Sequence, residues 1–220
     1  MSSLGVYNQV HWPGVGDVDD CWVISTFWVL VAAGILTRDQ LPSVHAFRDA
    51  AGVPDKPGPT GGSNAEIVRA LNKLTPEAGA RLFSGNLSGF VHTLKSGYIA
   101  SLAVNSMYLP SYLRFGFKGR HQIAVVYQNG KLYVMNPLAK EGSSLLQISQ
   151  VDLALAAITF SQDGRFHGVM VRIGGAVRKA LDQAIKQLNL PPVIRPYTEM
   201  SDFIDGFAVG KFYRSKHKVH

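Results

Sequence analysis

The stretch DDCWVISTFWVLVAAG, residues 19–34, decides the fold of this chain. Its bulky apolar residues recur without a polar face between them, which is typical of a helix that is covered on every side. Asp19 and Asp20 are suited to cap the start of such a helix, and Gly34 is suited to end it. We therefore predict a central buried helix within residues 21–36.

Cys21 is the only cysteine of the chain, and it lies at the start of this predicted helix. The positive end of a helix dipole favours the thiolate over the thiol, and the thiolate is the attacking species. A cysteine that only fills space in a core has no particular reason to occupy this position. The sequence therefore predicts that Cys21 is a catalytic nucleophile.

Composition limits the class of protein. The 220 residues, 46% of them hydrophobic and 17% charged, suit one large globular domain, or one domain with an additional segment. A single cysteine excludes an internal disulfide and a metal framework built from cysteines. Residues 1–5 do not read as a signal peptide, and the longest apolar run, residues 21–36, is too short to span a membrane. We expect no membrane span, no metal and no other cofactor.

Local signals along the chain place helices first and an antiparallel sheet second, which is an α+β arrangement. Asn129-Gly130 separates two strand-like runs and is a strong hairpin signal. The elements predicted after the first helix are a capping-box helix at 63–74, a helix at 87–95, strands at 98–104, 122–127 and 131–135, a helix at 149–158, and a strand at 168–173 that could pair with residues 159–160.

Residues 175–220 are predicted to form a C-terminal extension, a basic helix followed by an irregular tail. From residue 174 to the end, eight Lys and Arg face four Asp and Glu, so this segment carries +4 of the net charge of +7. The tail has little apolar content to order it alone, so we expect it to dock on other protein chains of a larger assembly. Nucleic acid is a less favoured partner, suggested only by the net charge and by aromatic and basic residues at 211–214.

His121 and Asn136 are the candidate partners of the thiol. His121 lies at the start of one predicted strand, and Asn136 directly follows the next strand of the same hairpin. Because the outer ends of a hairpin lie side by side, the Asn136 amide can orient the His121 imidazole. Cys21, His121 and Asn136 then form a nucleophile, a base and an orienting group in cysteine-protease order.

These segments resemble a known family. Residues 20–22, at the head of an apolar helix, resemble the nucleophile segment of papain-like cysteine peptidases. The runs GRHQIAVVY, residues 119–127, and GKLYVMNP, residues 130–137, are similar to the C39-like branch, in which a histidine opens an apolar strand and an Asp/Asn-Pro pair follows a Gly turn. The resemblance covers about residues 6–173 and implies a papain-like domain, which we place at residues 1–174.

The resemblance further implies an oxyanion hole formed by the Cys21 backbone N–H and an upstream glutamine. The family's glutamine typically lies about six residues before the cysteine, where this chain has Val15. Gln9 lies twelve residues before Cys21, and looping out residues 13–16 would bring it into place. Trp22, directly beside the nucleophile, is the candidate substrate-binding residue, although such a residue also suits a core.

The resemblance implies hydrolysis of peptide-like bonds, in peptidoglycan cross-bridges or in a protein. Domains similar to the C39-like branch occur in bacteriophage lysins and virion tail proteins as well as in bacterial exporters, and a phage or secreted context suits this chain better. We therefore expect a location in the virion or outside the cell without a signal peptide, or otherwise the cytoplasm. The alternative is a structural subunit of a virion-like assembly that keeps the peptidase fold with little or no activity.

Overall fold

The structure is a computed structural model that describes residues 20–53, 61–114, 116–138 and 145–174. These ranges contain six α-helices and six β-strands. The helices are α1 (Cys21–Ala32), α2 (Val44–Ala51), α3 (Asn64–Leu74), α4 (Leu87–Lys95), α5 (Ser111–Arg114) and α6 (Gln150–Ile158). The strands are β1 (Arg81–Gly85), β2 (Tyr98–Asn105), β3 (Arg120–Gln128), β4 (Lys131–Met135), β5 (Leu146–Ile148) and β6 (Phe166–Arg172).

The six strands form one antiparallel sheet in the order β1-β6-β2-β3-β4-β5. Helices that pack on an antiparallel sheet confirm the predicted α+β class. The predicted pairing of the last strand with residues 159–160 is wrong, because both edges of β6 are occupied by β1 and β2. Residues 159–160 instead form the turn that ends α6.

Helices cover both faces of the sheet, and alternate strand residues enter the two cores. Ala124 and Val126 of β3 pack with α1, α2 and α3, whereas Ile123 and Val125 pack with α4, α5 and α6. The helix α1 is buried almost all round, as its apolar sequence predicts. The helix α1 therefore packs on β2 and β3 and also contacts α2 and α3, while α3 itself packs on β6 and β1.

The helix α1 begins at Cys21 as predicted but ends at Ala32, within the predicted run of residues 21–36. Gly34 ends it by adopting a left-handed conformation with φ of 72°, which glycine tolerates without strain. Asp20 occupies the N-cap position, but its side chain makes no capping hydrogen bond. The predicted capping role of Asp20 is therefore wrong, since its carboxylate pairs with Arg48 instead.

Local signals elsewhere are confirmed. The turn between β3 and β4 has positive φ at both Asn129 (50°) and Gly130 (82°), as a two-residue hairpin turn requires. Ser63 and Glu66 form the predicted capping box of α3, each side chain bonding the other residue's backbone N–H. The predicted helix at 87–95 matches α4.

Several predictions fall on residues outside the described ranges: Asp19, Gln9, and the extension at 175–220 with its docking role. The domain border after residue 174 therefore stays a prediction. In the described part of the chain, none of the helices is both long and apolar enough to cross a membrane.

Candidate functional site

The ends of β3 and β4 bring His121 and Asn136 together. Ala124 faces Met135 in the β3–β4 register, so the two strands lie side by side where β3 starts and β4 ends. The Nε2 atom of His121 lies 2.7 Å from Oδ1 of Asn136, and both side chains are buried. This contact was predicted from the hairpin turn alone.

Two backbone groups fix the orientation of the Asn136 amide. Its Nδ2 donates to the carbonyl oxygen of Leu113 at 2.6 Å, and its Oδ1 accepts from the backbone N–H of Leu138 at 2.9 Å. Since these partners assign the amide oxygen to the side facing His121, Nε2 of the imidazole must carry the proton. The neutral imidazole then has its lone pair on Nδ1.

The Nδ1 atom of His121 is buried and has no hydrogen-bond partner among the described residues. Burial lowers the pKa of His121 from 6.5 to about 4, although the hydrogen bond with Asn136 acts in the opposite direction. The ring of Phe117 covers part of the imidazole, with 5.3 Å between the ring centroids. At neutral pH His121 is therefore an uncharged base whose accepting nitrogen is not used within the described structure.

Cys21 lies at the same end of the sheet. The Ser25 hydroxyl of α1 lies 2.8 Å from the Ser101 hydroxyl in the middle of β2. The Ala33 carbonyl, just after α1, accepts from the Gly174 N–H at 3.5 Å, and Gly174 lies beyond Tyr98, the first residue of β2, which pairs with Arg172. The helix α1 thus runs opposite to β2 and in the direction of β3, so its first residue lies where β3 begins. Cys21, one turn before Ser25, is partly buried.

Asp20, the residue directly before Cys21, forms a buried ion pair. Arg48 of α2 donates through Nη1 to the Asp20 carboxylate, and each side chain is 5% exposed. The pair neutralises a negative charge that would otherwise disfavour a thiolate on Cys21. This contact was not predicted from the sequence, because Asp20 and Arg48 are distant in sequence and α2 was not predicted.

The contacts of Gln122 were also not predicted from the sequence. Gln122 is buried, and its Nε2 donates to Asn64 Oδ1 at 3.0 Å and to Ser101 Oγ at 3.1 Å. Alternation along β3 directs Gln122 to the face that α1 covers. It directs His121, which lies opposite Val104, to the other face at the start of the strand. A glutamine within the apolar run of residues 122–127 was a signal that could have been used.

Trp22, the candidate substrate-binding residue, is a core side chain. It is 1% exposed, and its ring centroid lies 5.7 Å from that of Phe47. Its substrate-binding role stays a prediction that this burial does not favour. Gln9, the candidate oxyanion donor, lies outside the described residues. Within the described ranges no group of three or more His, Cys, Asp and Glu side chains is arranged to hold a metal ion.

Comparisons with known proteins give a structural likeness. No family model matches the chain. No curated protein matches it either. A solved structure titled "Crystal structure of an putative C39-like peptidase from Bacillus anthracis" aligns with 77% of this chain and 98% of its own chain, at 12% identity and a TM-score of 0.49. The chain is similar in outline to this structure, and the likeness assigns no role to its site residues.

Proposed function

We propose that this chain is a cysteine peptidase or amidase of papain-like fold, in the C39-like branch, with Cys21 as nucleophile, His121 as base and acid, and Asn136 as the orienting group. The observation that carries the proposal is the hydrogen bond between His121 Nε2 and Asn136 Oδ1. That bond assigns the free lone pair of the imidazole to Nδ1, the atom that a thiol must approach.

The chemistry follows from this assignment. Nδ1 takes the proton of the Cys21 thiol while the sulfur attacks the substrate carbonyl carbon, so a C–S bond forms and negative charge moves to the carbonyl oxygen. His121 then gives the proton to the leaving nitrogen, and the C–N bond breaks to leave a thioester. Water attacks the thioester as Nδ1 takes its proton, the C–S bond breaks, and the proton returns to the sulfur as the acid product leaves.

The position of Cys21 supports the charged steps. The first backbone N–H groups of a helix lack intrahelical acceptors and stabilise nearby negative charge. The Cys21 N–H is therefore our candidate for one oxyanion donor, with Gln9 proposed as the second. A thiolate beside Nδ1 would raise the pKa of His121, because opposite charges stabilise each other, so the two groups would titrate as a pair.

The substrate and setting belong to the proposal as well. We propose a peptide-like bond in a peptidoglycan cross-bridge or a protein, cleaved by a domain carried on a larger assembly such as a phage tail. Residues 175–220, basic in net charge, would serve as the docking segment. The virion or the extracellular space is then the expected location.

Mass-spectrometric labelling with an epoxide inhibitor of cysteine peptidases tests the proposal. Because Cys21 is the only cysteine, every thiol adduct reports on it. We expect rapid labelling of the native protein, and slow labelling both after unfolding in urea and in the His121→Ala variant. Labelling that is equally slow in the native and the unfolded protein would contradict the proposal.

A structural module that keeps the fold without activity is the second candidate. The observation in its favour is Val15, which stands where the family's glutamine is typical. This candidate predicts that inhibitor labelling is slow in the native protein and insensitive to His121. The same experiment therefore separates the two functions.

A further inference from the structure

A buried polar chain crosses the interface between β3 and the nucleophile helix. Gln122 of β3 donates both Nε2 hydrogens, one to Asn64 at the start of α3 and one to Ser101 of β2. The Ser101 hydroxyl in turn bonds the Ser25 hydroxyl of α1 at 2.8 Å. The Gln122 amide thus links β3 directly to the start of α3 and, through Ser101, to the second turn of α1.

The strand residues next to Gln122 on the face that α1 covers are small. Gln122 faces Ala103 across the β2–β3 register, and the next residue of β3 on the same face is Ala124. Alanines leave a smooth surface, and apolar burial is non-directional. Hydrogen bonds require a defined distance and angle, so at this end of the interface they constrain the position of α1 in addition to its apolar packing.

The two ends of the polar chain lie beside the two reactive groups. Gln122 directly follows His121 on β3, and Ser25 lies one helical turn after Cys21. A shift of Gln122 moves the backbone of His121, and a shift of Ser25 moves the helix start. A misplacement of about 1 Å between reacting groups can cost on the order of a hundredfold in rate.

We infer that Gln122 is a positioning residue that, through Ser101 and Ser25, sets the separation between the helix start carrying Cys21 and the strand start carrying His121. The inference rests on the proposed function, since it assigns Gln122 to the pair of groups named there. It concerns a residue outside the Cys21, His121 and Asn136 set.

The test uses the rate of Cys21 alkylation by iodoacetamide as a function of pH. Gln122→Met keeps the size of the side chain and removes the hydrogen bonds. Gln128→Met is the matched control, because Gln128 is also buried and ends the same strand about 20 Å away. We expect Gln122→Met to lower the rate at pH 7 at least tenfold and to move the midpoint of the pH profile towards the ordinary thiol value of about 8.5. Gln128→Met should keep the wild-type midpoint.

Ser101→Ala is a second variant that breaks the same chain with the loss of one oxygen atom. We expect it to shift the midpoint in the same direction, and we expect the double variant Gln122→Met/Ser101→Ala to shift it no further than Gln122→Met does. Additive shifts would contradict a single connected chain.

The two proposals fail in distinguishable ways. If wild-type Cys21 titrates as an ordinary thiol, the proposed function fails, and the role of Gln122 fails with it. If the wild-type midpoint is well below the ordinary value and both Gln122→Met and Ser101→Ala retain it, the positioning role alone is overturned.

Discussion

The imidazole of His121 and the amide of Asn136 are joined by a contact of 2.7 Å between Nε2 and Oδ1. The amide is itself held by Leu113 and Leu138, so it cannot rotate without the loss of two further hydrogen bonds. This arrangement holds one tautomer of a buried, neutral imidazole and leaves the lone pair on Nδ1.

Loss of the orienting amide should reduce both the reactivity of Cys21 and the stability of the fold. Asn136→Ala frees the imidazole to change tautomer and is expected to slow Cys21 alkylation by about 10–100-fold, as for other groups that orient a reactive ligand. It should also cost about 1–3 kcal/mol, because Leu113 and Leu138 lose a buried partner. The control is Asn86→Ala, which removes the N-cap of α4 and should lower stability alone, by about 1 kcal/mol. Equal alkylation rates in the two variants would contradict an orienting role.

Stability should depend on pH through His121. Its folded pKa of about 4 lies below the ordinary 6.5, so between those values the unfolded chain binds the extra proton. The free energy of unfolding should therefore fall as the pH falls from about 6.5 to 4, by up to ~3 kcal/mol. Urea denaturation of the wild type and of His121→Phe over this range measures the effect. The variant should lack this part of the pH dependence, and identical dependence in the two proteins would contradict the burial of a neutral imidazole.

The ion pair between Arg48 and Asp20, the residue directly before Cys21, gives a third prediction. Arg48→Met leaves the buried Asp20 carboxylate without its cation and should destabilise the fold by about 3–5 kcal/mol. The same change should slow Cys21 alkylation at neutral pH, because a nearby negative charge disfavours the thiolate. Asp20→Asn/Arg48→Met removes both charges and should recover much of each loss. If the double variant is as slow as Arg48→Met, the charge explanation is wrong.

Two adjacent glycines, Gly61 and Gly62, offer a matched pair of positions near Trp22 of α1. A Cβ atom on Gly62 would lie 2.6–2.8 Å from ring atoms of Trp22, whereas one on Gly61 would meet nothing within 4 Å. Gly62→Ala should therefore cost about 1–3 kcal/mol through overpacking, and Gly61→Ala should be close to neutral. Urea denaturation compares the two variants. Equal stability would contradict the packing of Trp22 against this segment.

The sequence predicted those parts of the fold that short-range signals determine. The hairpin turn at Asn129-Gly130 and the capping box at Ser63 and Glu66 each depend on residues within a few positions of one another. The strand β1 was missed, because it is a short edge strand whose residues are mostly exposed. The predicted pairing of the last strand with residues 159–160 was wrong. The strand β6 instead lies between β1 and β2, a long-range pairing that no local pattern encodes.

The site follows the same division. His121 and Asn136 could be placed together because one tight turn fixes the register of their strands. The contacts of Arg48 with Asp20 and of Gln122 with Asn64 join segments that are distant in sequence, and they depend on how the helices pack on the sheet. Such contacts come from tertiary packing, so only the structure reveals them.

The pH dependence of Cys21 alkylation in the wild type and in His121→Gln tests the thiol–imidazole pair most directly. We predict a wild-type midpoint well below the ordinary thiol value of about 8.5 and a return to about 8.5 in His121→Gln. Thermal unfolding of both proteins verifies that the variant is folded. The same midpoint in both folded proteins would contradict the claim that His121 acts on Cys21.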